Sequence, residues 1–515
     1  MDKTESASFL GGFADLDAVV AEPDAIVCVS LEIAKTYNVL PLRIEGDKLY
    51  VAMAEPVNVQ ALDDIRFITK KTVVPVNADA SSISRKIEHY YTRRQSSKAF
   101  EDFKNEFRSA QPRESLQDIR KQSDDGRSDI ENAPAVRLVN SILNESVALS
   151  ASDIHLEPFE DGVRVRYRVD GSLIENMTIP TELYTSVSTR IKIIAGMDIA
   201  ERRLPQDGRV ETAIGGRAYD FRVSSLPTVF GEKLELRKLD RSEFLFDRGM
   251  LAFTKRENEI IDSVLKIPRG VTLVTGPTGS GKTTTIYSLL GELNRPNKNI
   301  VTIEDPVEYM IKGVNQVQVN VKAGLTFAGG LRSILRQDPD IIMIGEIRDE
   351  ETAEIAVRAA ITGHLVLSTL HTVDAPGAIT RLTDMGIQPY LLSEAIICVI
   401  AQRLVRRLCE SCKIKKAASL ADMSALKSLD PIYICEPAGC EKCSHTGYRG
   451  RSAIHEVLYI DPNIKHAIEK AKSAEKIREA AAAAGMTSLY DNCRRLVLEG
   501  VTSIQELVNT VYAGF

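Results

Sequence analysis

The sequence predicts an α/β protein of several domains, one of which contains a parallel sheet covered by helices. The chain has 515 residues, too many for one ordinary core, and roughly 150 residues per domain predicts three or four folded units. From about residue 270 to residue 386, short apolar runs alternate with helix-like segments, the pattern of parallel strands joined by helical crossovers. A glycine-rich octet stands between the first apolar run and the first helix-like segment of that region. These three observations define the fold class.

The octet reads Gly276-Pro277-Thr278-Gly279-Ser280-Gly281-Lys282-Thr283. It satisfies the G-x-x-x-x-G-K-[ST] pattern of a phosphate-binding loop, whose glycines let backbone N–H groups face the phosphates. The Lys282 ammonium supplies positive charge to the β- and γ-phosphates, and the Thr283 hydroxyl can ligate Mg²⁺. An ordinary glycine turn is the alternative, but the flanking strand-like and helix-like segments disfavour it. The octet therefore predicts a nucleoside triphosphate such as ATP as the ligand.

Composition and charge narrow the class of protein. The chain is 44% hydrophobic and 26% charged, which is typical of globular proteins, and its formal net charge of -6 gives no overall attraction to nucleic acid. The sequence has no uninterrupted apolar stretch of about 18 residues and no basic-then-apolar leader. We therefore expect a cytoplasmic protein.

The amino-terminal part predicts a small α/β domain, residues 1–91, followed by a linker. Helix-like segments alternate with short apolar runs, the segments being 31–37, 59–68 and 81–91 and the runs 49–53 and 73–76. From residue 92 to residue 132 charged and polar residues dominate and few aliphatic residues are available to bury. This composition predicts a flexible linker.

A second unit, residues 133–262, combines a helix with arginine-rich strands. Apolar residues recur at helical spacing after Pro134, and a strand-like run from Val163 to Val169 alternates with arginines. A solvated face is the alternative interpretation of those arginines. Two later stretches contain Arg203, Arg209 and Arg222. They matter for chemistry only if this domain faces the nucleotide.

Carboxylates and histidines follow the apolar runs of the nucleotide core. Glu304 and Asp305 come directly after the run 301–303, and Glu346 follows the run 341–344 across one glycine. Ligands lie beyond the carboxyl ends of parallel strands, so these side chains are expected to converge on the phosphates, although helix capping or solvation is the alternative. His364 and His371 bracket the strand-like run 365–370. His371, at the carboxyl end, is the better candidate for a phosphate or carboxylate contact, and a structural histidine is the alternative.

Four of the eight cysteines form two C-x-x-C pairs, Cys409 with Cys412 and Cys440 with Cys443, separated by 27 residues. Paired thiolates at this spacing predict a closed tetrahedral Zn²⁺ site, with free thiols as the alternative. The remaining four are interpreted as small buried residues, Cys28, Cys398, Cys435 and Cys493. The expected tetracysteine module spans residues 401–457, and helical periodicity fills residues 458–515.

Four ordered boxes carry a resemblance to a known family. The octet is followed by Thr302-Ile303-Glu304-Asp305-Pro306-Val307-Glu308-Tyr309, by Asp338-Pro339-Asp340-Ile341-Ile342-Met343-Ile344-Gly345-Glu346-Ile347-Arg348-Asp349, and by Thr362-Gly363-His364-Leu365-Val366-Leu367-Ser368-Thr369-Leu370-His371. Together they resemble the secretion ATPases that power type II secretion, type IV pilus assembly and related machines. The resemblance extends from about Pro134 to Leu458. It implies a RecA-type P-loop core at 263–400, preceded by a PAS-like α+β domain.

The resemblance also implies roles for particular residues. Lys282 and Thr283 bind phosphate and Mg²⁺, Glu346 is the Walker B glutamate and Glu304 the acidic-box glutamate, one of the two carboxylates orienting water. Gly345 stands where many P-loop enzymes place a metal-binding aspartate, so Mg²⁺ is expected to be held partly through water or by Asp305. This family brings arginines from the preceding domain towards the phosphates, and Arg203, Arg209 and Arg222 match the positions of those arginines. Such arginines contribute roughly 10³ to 10⁵ in rate when supplied as fingers.

The function implied is a hexameric ATPase motor of type II secretion that drives pseudopilus assembly. Residues 1–91 are expected to dock on the cytoplasmic part of an inner-membrane protein, and a polytopic inner-membrane platform is expected to receive the mechanical output. The protein would then be cytoplasmic and peripherally associated with the inner membrane. The tetracysteine insert resembles secretion and pilus-assembly members rather than retraction ATPases. Type IV pilus assembly is the first alternative, disfavoured because the amino-terminal region has no recognisable tandem nucleotide-sensing repeat.

Two further alternatives come from other classes of protein. A nucleic-acid motor is supported by a basic cluster near the cysteines, namely Arg403, Arg406, Arg407, Lys413, Lys415 and Lys416. The net acidic chain and the lack of interleaved aromatic residues weigh against it. A nucleotide-gated scaffold that does not hydrolyse ATP is the other alternative.

Overall fold

The computed structural model of the protein describes residues 16, 21–54, 58–84, 86–87, 90–91, 133–240, 247–443, 445–470 and 473–512. The chain divides into two compact units, residues 1–242 and 243–515, each with its own cores. In the part of the chain that is described, no helix is both long enough and apolar enough to cross a bilayer.

The first unit begins with a small α/β arrangement. Its elements are α1 (Pro23–Cys28), α2 (Leu31–Tyr37), β1 (Val39–Glu45), β2 (Lys48–Met53), α3 (Val59–Thr69) and β3 (Thr72–Asn77). The strands form a sheet in the order β1-β2-β3, in which β1 and β2 are antiparallel and β2 and β3 are parallel. The helix-like segments 31–37 and 59–68 and both apolar runs predicted from the sequence are present. The prediction did not include β1, whose apolar pattern is interrupted by Pro41, Arg43 and Glu45.

Two predictions for this region reach beyond the described residues. The helix expected over 81–91 is described only at 80–84, 86–87 and 90–91, all helical. The linker expected over 92–132 lies outside the described residues.

Residues 133–240 of the first unit form an antiparallel sheet with two helices. The helices are α4 (Pro134–Ala148) and α5 (Thr181–Ile194), and the strands are β4 (Asp153–Phe159), β5 (Gly162–Val169), β6 (Ser172–Ile179), β7 (Gln206–Ile214), β8 (Arg217–Thr228) and β9 (Gly231–Asp240). The strand order is β6-β5-β4-β9-β8-β7. Alternate residues of β4 and β5, such as Ile154, Leu156 and Tyr167, join both helices in one buried core.

The opposite face of this sheet is charged and internally paired. Asp153 on β4 contacts the guanidinium of Arg237, with Nε 2.8 Å from Oδ1, and that of Arg168, with Nε 3.5 Å from Oδ2. Glu157, four residues further along β4 and on the same face, contacts Nζ of Lys233 at 2.9 Å and also Arg166. The arginines of β5 therefore belong to a network of ion pairs on one sheet face.

The second unit is built on a seven-stranded sheet. Its strands are β10 (Gly270–Thr275), β11 (Ile300–Glu304), β12 (Asn315–Gln318), β13 (Ile341–Ile344), β14 (Leu365–Leu370), β15 (Ile396–Leu408) and β18 (Tyr448–Tyr459), in the order β12-β11-β13-β14-β10-β15-β18. The neighbouring pairs from β12 to β15 are parallel, and β15 with β18 is antiparallel. All four apolar runs predicted as strands lie in this sheet, which confirms the predicted parallel core.

Helices cover both faces of this sheet. They are α6 (Lys255–Val264), α7 (Lys282–Leu293), α8 (Phe327–Ile334), α9 (Glu350–Ile361), α10 (Ala375–Asp384) and α11 (Pro389–Ala395), with short 3-10 turns at Arg248–Leu251 and Val321–Ala323. Two separate buried clusters lie against the sheet, one containing Leu273 and Ile303 and the other Val274 and Ile286. Alternate residues of each central strand therefore face different helices.

The tetracysteine module is inserted between β15 and β18. It contains β16 (Ile414–Ala417), α12 (Leu420–Ala425), β17 (Tyr433–Glu436) and a 3-10 turn at Glu441–Cys443, with β16 and β17 antiparallel. The boundary expected at residue 400 falls inside β15, because that strand pairs with β10 through Ala401 and with β18 beyond it. The core sheet therefore extends directly to the first cysteine.

Helices end the second unit, as the sequence predicts. They are α13 (Pro462–Lys470), α14 (Ala474–Ala483), α15 (Leu489–Leu498) and α16 (Ile504–Leu507), followed by a π-helical turn at Val508–Tyr512. Buried residues Ile477, Val497 and Leu507 join them to the core of the sheet.

Candidate functional site: the phosphate loop and the tetracysteine cluster

The octet forms a loop between the end of β10 and the start of α7. Gly276, Gly279 and Gly281 adopt positive φ angles of 149°, 80° and 85°, a region that favours residues without a Cβ atom. Gly281 is the N-cap residue of α7, so Lys282 and Thr283 occupy the first turn of that helix. The backbone N–H groups at this end of α7 have no partner within the helix, which is how such a loop receives an anion.

Lys282 folds back over the loop. Its Nζ donates hydrogen bonds to the carbonyl oxygens of Gly276 at 2.9 Å and Pro277 at 3.0 Å. Burial lowers the pKa of Lys282, the nearby carboxylate of Glu346 acts in the opposite direction, and Arg403 lowers it further. The ammonium therefore lies within electrostatic reach of Glu346 and is held by acceptors that phosphate oxygens can replace.

Polar side chains that follow β11, β13 and β14 meet at one edge of the sheet. Arg348 donates to a carboxylate oxygen of Glu346, and its Nη1 lies 3.9 Å from Oδ2 of Asp305. Nε2 of His371 lies 3.6 Å from the other oxygen of Glu346. The predicted Glu346, Asp305 and His371 are thus brought together, and Arg348, which the sequence analysis gave no role, links two of them.

Gly345, one position before Glu346, lies close to the backbone at the end of β11. A Cβ atom at Gly345 would lie 3.3 Å from Cα of Glu304 and 3.4 Å from the carbonyl oxygen of Ile303. These separations are tighter than ordinary van der Waals contact, so a larger side chain is disfavoured. The carboxylates that the structure brings together at this edge of the sheet are those of Asp305 and Glu346, both in contact with Arg348.

Glu304 occupies a different environment from Glu346. Its side chain is buried, and its carboxylate accepts hydrogen bonds from Tyr287, from Thr302 Oγ1 at 2.6 Å and from Gln316 Nε2 at 3.2 Å. Burial raises the pKa of Glu304, although these three donors act in the opposite direction. The sequence placed both glutamates after successive strands, but the structure turns Glu304 towards α7 and β12.

His364 also lies away from the phosphate loop. Its ring Nδ1 is 2.9 Å from the carbonyl oxygen of Ala359, near the carboxyl end of α9, and its own carbonyl accepts from the N–H of Gly270. These contacts correspond to the structural alternative considered for this histidine.

Gln402 is a site residue that the sequence analysis missed. It lies on β15, is 1% exposed, and its Nε2 donates to the carbonyl oxygen of Ser280 in the loop at 2.8 Å. Its Oε1 accepts from Oγ1 of Thr285 in α7 at 2.6 Å. Since Gln402 is 122 residues from Ser280, no local pattern identifies it. The signal in the sequence was that Gln402 lies in an apolar run, which could form a strand next to the one that leads into the loop.

The three predicted arginines lie in the first unit. Arg209 on β7 is paired with the buried Asp220 on β8, with Nε 2.8 Å and 2.7 Å from the two carboxylate oxygens. Arg222 is opposite Arg209 in the β7–β8 register, and Arg203 is exposed just before β7. The expectation that they reach phosphates remains a prediction.

The four cysteines form a compact cluster. The sulfurs of Cys409, Cys412, Cys440 and Cys443 all lie within 4.8 Å of one another, and three of their separations are 3.8 Å. A tetrahedral metal with bonds of about 2.3 Å to four sulfurs requires sulfur–sulfur edges of about 3.8 Å. Sγ of Cys443 also accepts backbone N–H bonds from Cys440 at 3.2 Å and Gly447 at 3.1 Å, which suit a thiolate. The donor set therefore fits a metal ion.

The basic cluster behind the nucleic-acid alternative is largely used inside the unit. Arg406 donates to Glu506 through Nε at 3.0 Å and Nη2 at 2.7 Å. Lys413 lies 2.7 Å from Glu410, and Lys416 lies 2.5 Å from Glu436. Phosphate backbones would have to displace these internal partners, which weakens this alternative.

A parallel sheet with a phosphate loop after a central strand, and carboxylates after neighbouring strands, defines a P-loop ATPase. Two family models match the chain, the Type II/IV secretion system protein model over residues 128–509 and the MshEN domain model over residues 12–97. The chain belongs to the Type II/IV secretion system protein family, and it is an ATPase of that family. This confirms the resemblance and the enzyme class inferred from the four boxes.

Named relatives come from two kinds of machine. The chain is 45% identical over 500 residues to the type IV pilus assembly ATPase PilB of Myxococcus xanthus, covering 95% of this chain and 86% of that one. It is 49% identical over 395 residues to type II secretion system protein E of Pseudomonas aeruginosa, covering 76% of this chain and 77% of that one. Among solved structures, the pilus retraction motor PilT with bound ADP matches with a TM-score of 0.50 at 27% identity, over 72% of this chain and 95% of that one.

Proposed function

We propose that the protein is the ATPase motor of a type II secretion system, hydrolysing ATP to drive pseudopilus assembly and export across the outer membrane. The observation that carries this proposal is the meeting of Glu346, His371 and Arg348 beside Lys282 and the phosphate loop, in a chain of the secretion family. These groups supply the parts that phosphoryl transfer to water requires: a phosphate cradle, positive charge and an oriented carboxylate.

Each group has a role in this proposal. Loop amides and Lys282 hold the β- and γ-phosphates, with the phosphate oxygens replacing the carbonyl oxygens that now accept from Nζ. Thr283 is exposed in the first turn of α7, and with Asp305 it fits a Mg²⁺ ion, directly or through water. When bound, Mg²⁺ neutralises charge on the β- and γ-phosphates. Glu346, whose negative charge lies within electrostatic reach of the Lys282 ammonium, orients the attacking water.

The structure favours Glu346 over Glu304 for that last role. Glu304 is buried and already receives three hydrogen bonds, so it would have to leave Tyr287 before it could reach a water molecule. Glu346, by contrast, already accepts a hydrogen bond from Arg348 and lies next to His371 at the edge of the sheet, so it does not have to move first. We therefore assign Glu304 a positioning role between α7 and the sheet.

The tetracysteine cluster is proposed to hold Zn²⁺. Four thiolates at tetrahedral separations, closed to further ligands, are typical of structural zinc rather than of a catalytic site. Such an ion contributes on the order of 10 kcal/mol to local folding. It would fix the two-stranded sheet β16–β17 to the ends of β15 and β18.

The motor is proposed to work as a homohexamer, with Arg203, Arg209 and Arg222 contributing to phosphate sites. Arg209 and Arg222 are opposite each other on neighbouring strands of the six-stranded sheet, so both side chains belong to the same sheet face. Arg209 would exchange Asp220 for a phosphate when it acts as a finger.

Recruitment to the inner membrane is proposed to use residues 1–91. Helix α3 exposes three apolar side chains, with Phe67 85%, Val59 66% and Ile68 50% exposed. Large apolar side chains exposed on one short helix are candidates for a docking surface. Its proposed partner is the cytoplasmic part of an inner-membrane protein, which leaves the ATPase cytoplasmic and peripherally attached, beside a polytopic platform that receives the motion.

Turnover of ATP by the purified protein tests the enzymatic part of this proposal. Lys282→Ala should abolish ATP binding, whereas Glu346→Gln should keep binding and lose roughly 10² to 10⁴ in kcat. Glu351→Gln is the matched control, because this carboxylate lies on the exposed side of α9 and pairs with Arg332. Turnover that rises with protein concentration and oligomeric mass would support sites completed between copies. Full turnover in a monomer would remove the hexameric mechanism.

Pilus assembly remains the second candidate, favoured by the 45% identity to PilB over 500 residues. Deletion of the gene, with separate assays for exoprotein release and pilus display, separates the two. Loss of release with normal pili supports the secretion proposal. Loss of pili with normal release would transfer the protein to pilus assembly.

A further inference from the structure

We propose that Gln402 is a positioning residue of the ATPase site, which holds the phosphate loop in its binding shape. The inference rests on the nucleotide site described above. Gln402 is buried on β15, and its side-chain amide connects the loop at Ser280 to the helix at Thr285. The order of strands in the sheet produces this contact, because β15 lies directly beside β10, the strand that leads into the loop.

The orientation of the Gln402 amide is fixed by its two partners. The carbonyl oxygen of Ser280 can only accept a hydrogen bond, so the NH₂ group must face it, at 2.8 Å. The amide oxygen then accepts from the Thr285 hydroxyl at 2.6 Å. A carboxylate at this position would place an oxygen against the Ser280 carbonyl, and an apolar side chain would satisfy neither partner.

The backbone and side chain of Gln402 also explain two glycines of the octet. A Cβ atom at Gly276 would lie 2.4 Å from the carbonyl oxygen of Gln402, and a Cβ atom at Gly281 would lie 2.8 Å from its Nε2. Real Cβ atoms do not approach other atoms so closely, so both ends of the loop are seated against this one residue. The loop thus rests on β15 as well as continuing β10.

This seating matters for binding because the loop recognises phosphate through its backbone. The N–H groups converge on an anion only while the loop keeps its path between β10 and α7. Removing the Gln402 amide frees the Ser280 carbonyl and the start of α7 together, and the loop must then be ordered again by the nucleotide. We therefore expect weaker nucleotide binding rather than a slower chemical step.

Three variants of the full-length protein separate the contributions. Gln402→Met keeps the volume and removes both hydrogen bonds, Gln402→Glu keeps the acceptor and removes the donor, and Thr285→Val removes only the hydroxyl. The control is Gln505→Glu, because Gln505 is exposed on α16. ADP and ATP dissociation constants are measured by calorimetry, together with KM, kcat and thermal midpoints.

Gln402→Met and Gln402→Glu should each weaken ADP binding about tenfold and raise KM for ATP, with kcat at saturation retained. Thr285→Val should weaken binding about threefold. A merely structural role predicts the opposite kinetics, a lower kcat from a smaller folded fraction with KM unchanged. Wild-type affinity in folded Gln402→Met would overturn the proposal. If both Gln402 variants fail to fold, an unchanged KM in Thr285→Val overturns it instead. Absence of nucleotide binding by the wild-type protein would contradict the proposed function rather than this inference.

Discussion

Nε2 of His371 lies 3.6 Å from a carboxylate oxygen of Glu346, with His371 at the end of β14 and Glu346 just beyond β13. Because β13 and β14 are parallel neighbours, their carboxyl ends bring these two side chains to the same edge of the sheet. Burial and the positive charge of Lys282 lower the pKa of His371, while Glu346 acts in the opposite direction. With its pKa lowered, the imidazole is neutral at neutral pH, so its contact with Glu346 does not depend on a full positive charge.

This relationship predicts the acid limb of ATP turnover. A histidine with a lowered pKa gains its proton only below the ordinary value of 6.5, so kcat/KM, which reports the groups of the free enzyme, should be retained at that pH and decline in more acidic buffer. His371→Gln cannot titrate, so its residual activity should lack that limb. The measurement is kcat/KM for ATP across a series of buffers. His466→Gln, at an exposed position of α13, is the control, and an acid limb centred above 6.5 in the wild type would contradict the prediction.

A second prediction concerns the buried pair Tyr287 and Glu304. Tyr287→Phe removes a donor from a carboxylate whose pKa is already raised by burial, so that pKa should rise further. We expect the free energy of unfolding to fall by about 1 to 3 kcal/mol. Urea unfolding measures this change, and Tyr390→Phe is the control because Tyr390 is 61% exposed. Unchanged stability with lost turnover would instead show that Glu304 takes part in the reaction.

The sequence predicts those features of the site that depend on local patterns of residues. The octet lies at a strand-to-helix junction, and Glu346 and His371 follow buried strands, as their positions after apolar runs predict. Parallel strands then bring their ends together without further information. For the same reason the central strands of the second unit were predictable from apolar runs alone.

Other features depend on packing between distant segments. Glu304 follows its strand as predicted, but its orientation is decided by Tyr287 on α7 and Gln316 on β12. Gln402 meets the loop only because β15 lies beside β10. Strand β15 also extends past the domain boundary expected at residue 400. Its length depends on pairing with β10 and with β18, two strands that are far apart in the sequence, so a local pattern does not predict it.

The tetracysteine cluster predicts a specific metal content. Purified protein should contain about one Zn²⁺ per chain, and Cys443→Ser should lose it, because a closed tetrahedral site needs all four thiolates. Cys435→Ser is a matched control, since Cys435 lies on β17 of the same module and outside the cluster of four sulfurs. Metal analysis and the thermal midpoint after chelation measure the effect. Retention of full metal content by Cys443→Ser would contradict the site.

The last prediction concerns acid stability and His455. This residue of β18 is 1% exposed, its ring stacks on Phe253 with centroids 3.9 Å apart, and burial lowers its pKa to about 3. The unfolded chain binds a proton at this histidine near pH 6.5, whereas the folded protein does not. The stabilisation from this group is therefore complete above pH 6.5 and is lost as pH falls towards 3, by about 1.4 kcal/mol per pH unit.

His455→Phe keeps the stacked ring and removes the titration. Below pH 6.5 the slope of its unfolding free energy against pH should therefore be smaller than that of the wild type, by the equivalent of about one proton. Urea unfolding at a series of pH values measures both slopes, with His466→Gln as the exposed control. Equal slopes in the wild type and His455→Phe would show that the buried imidazole accepts its proton without cost.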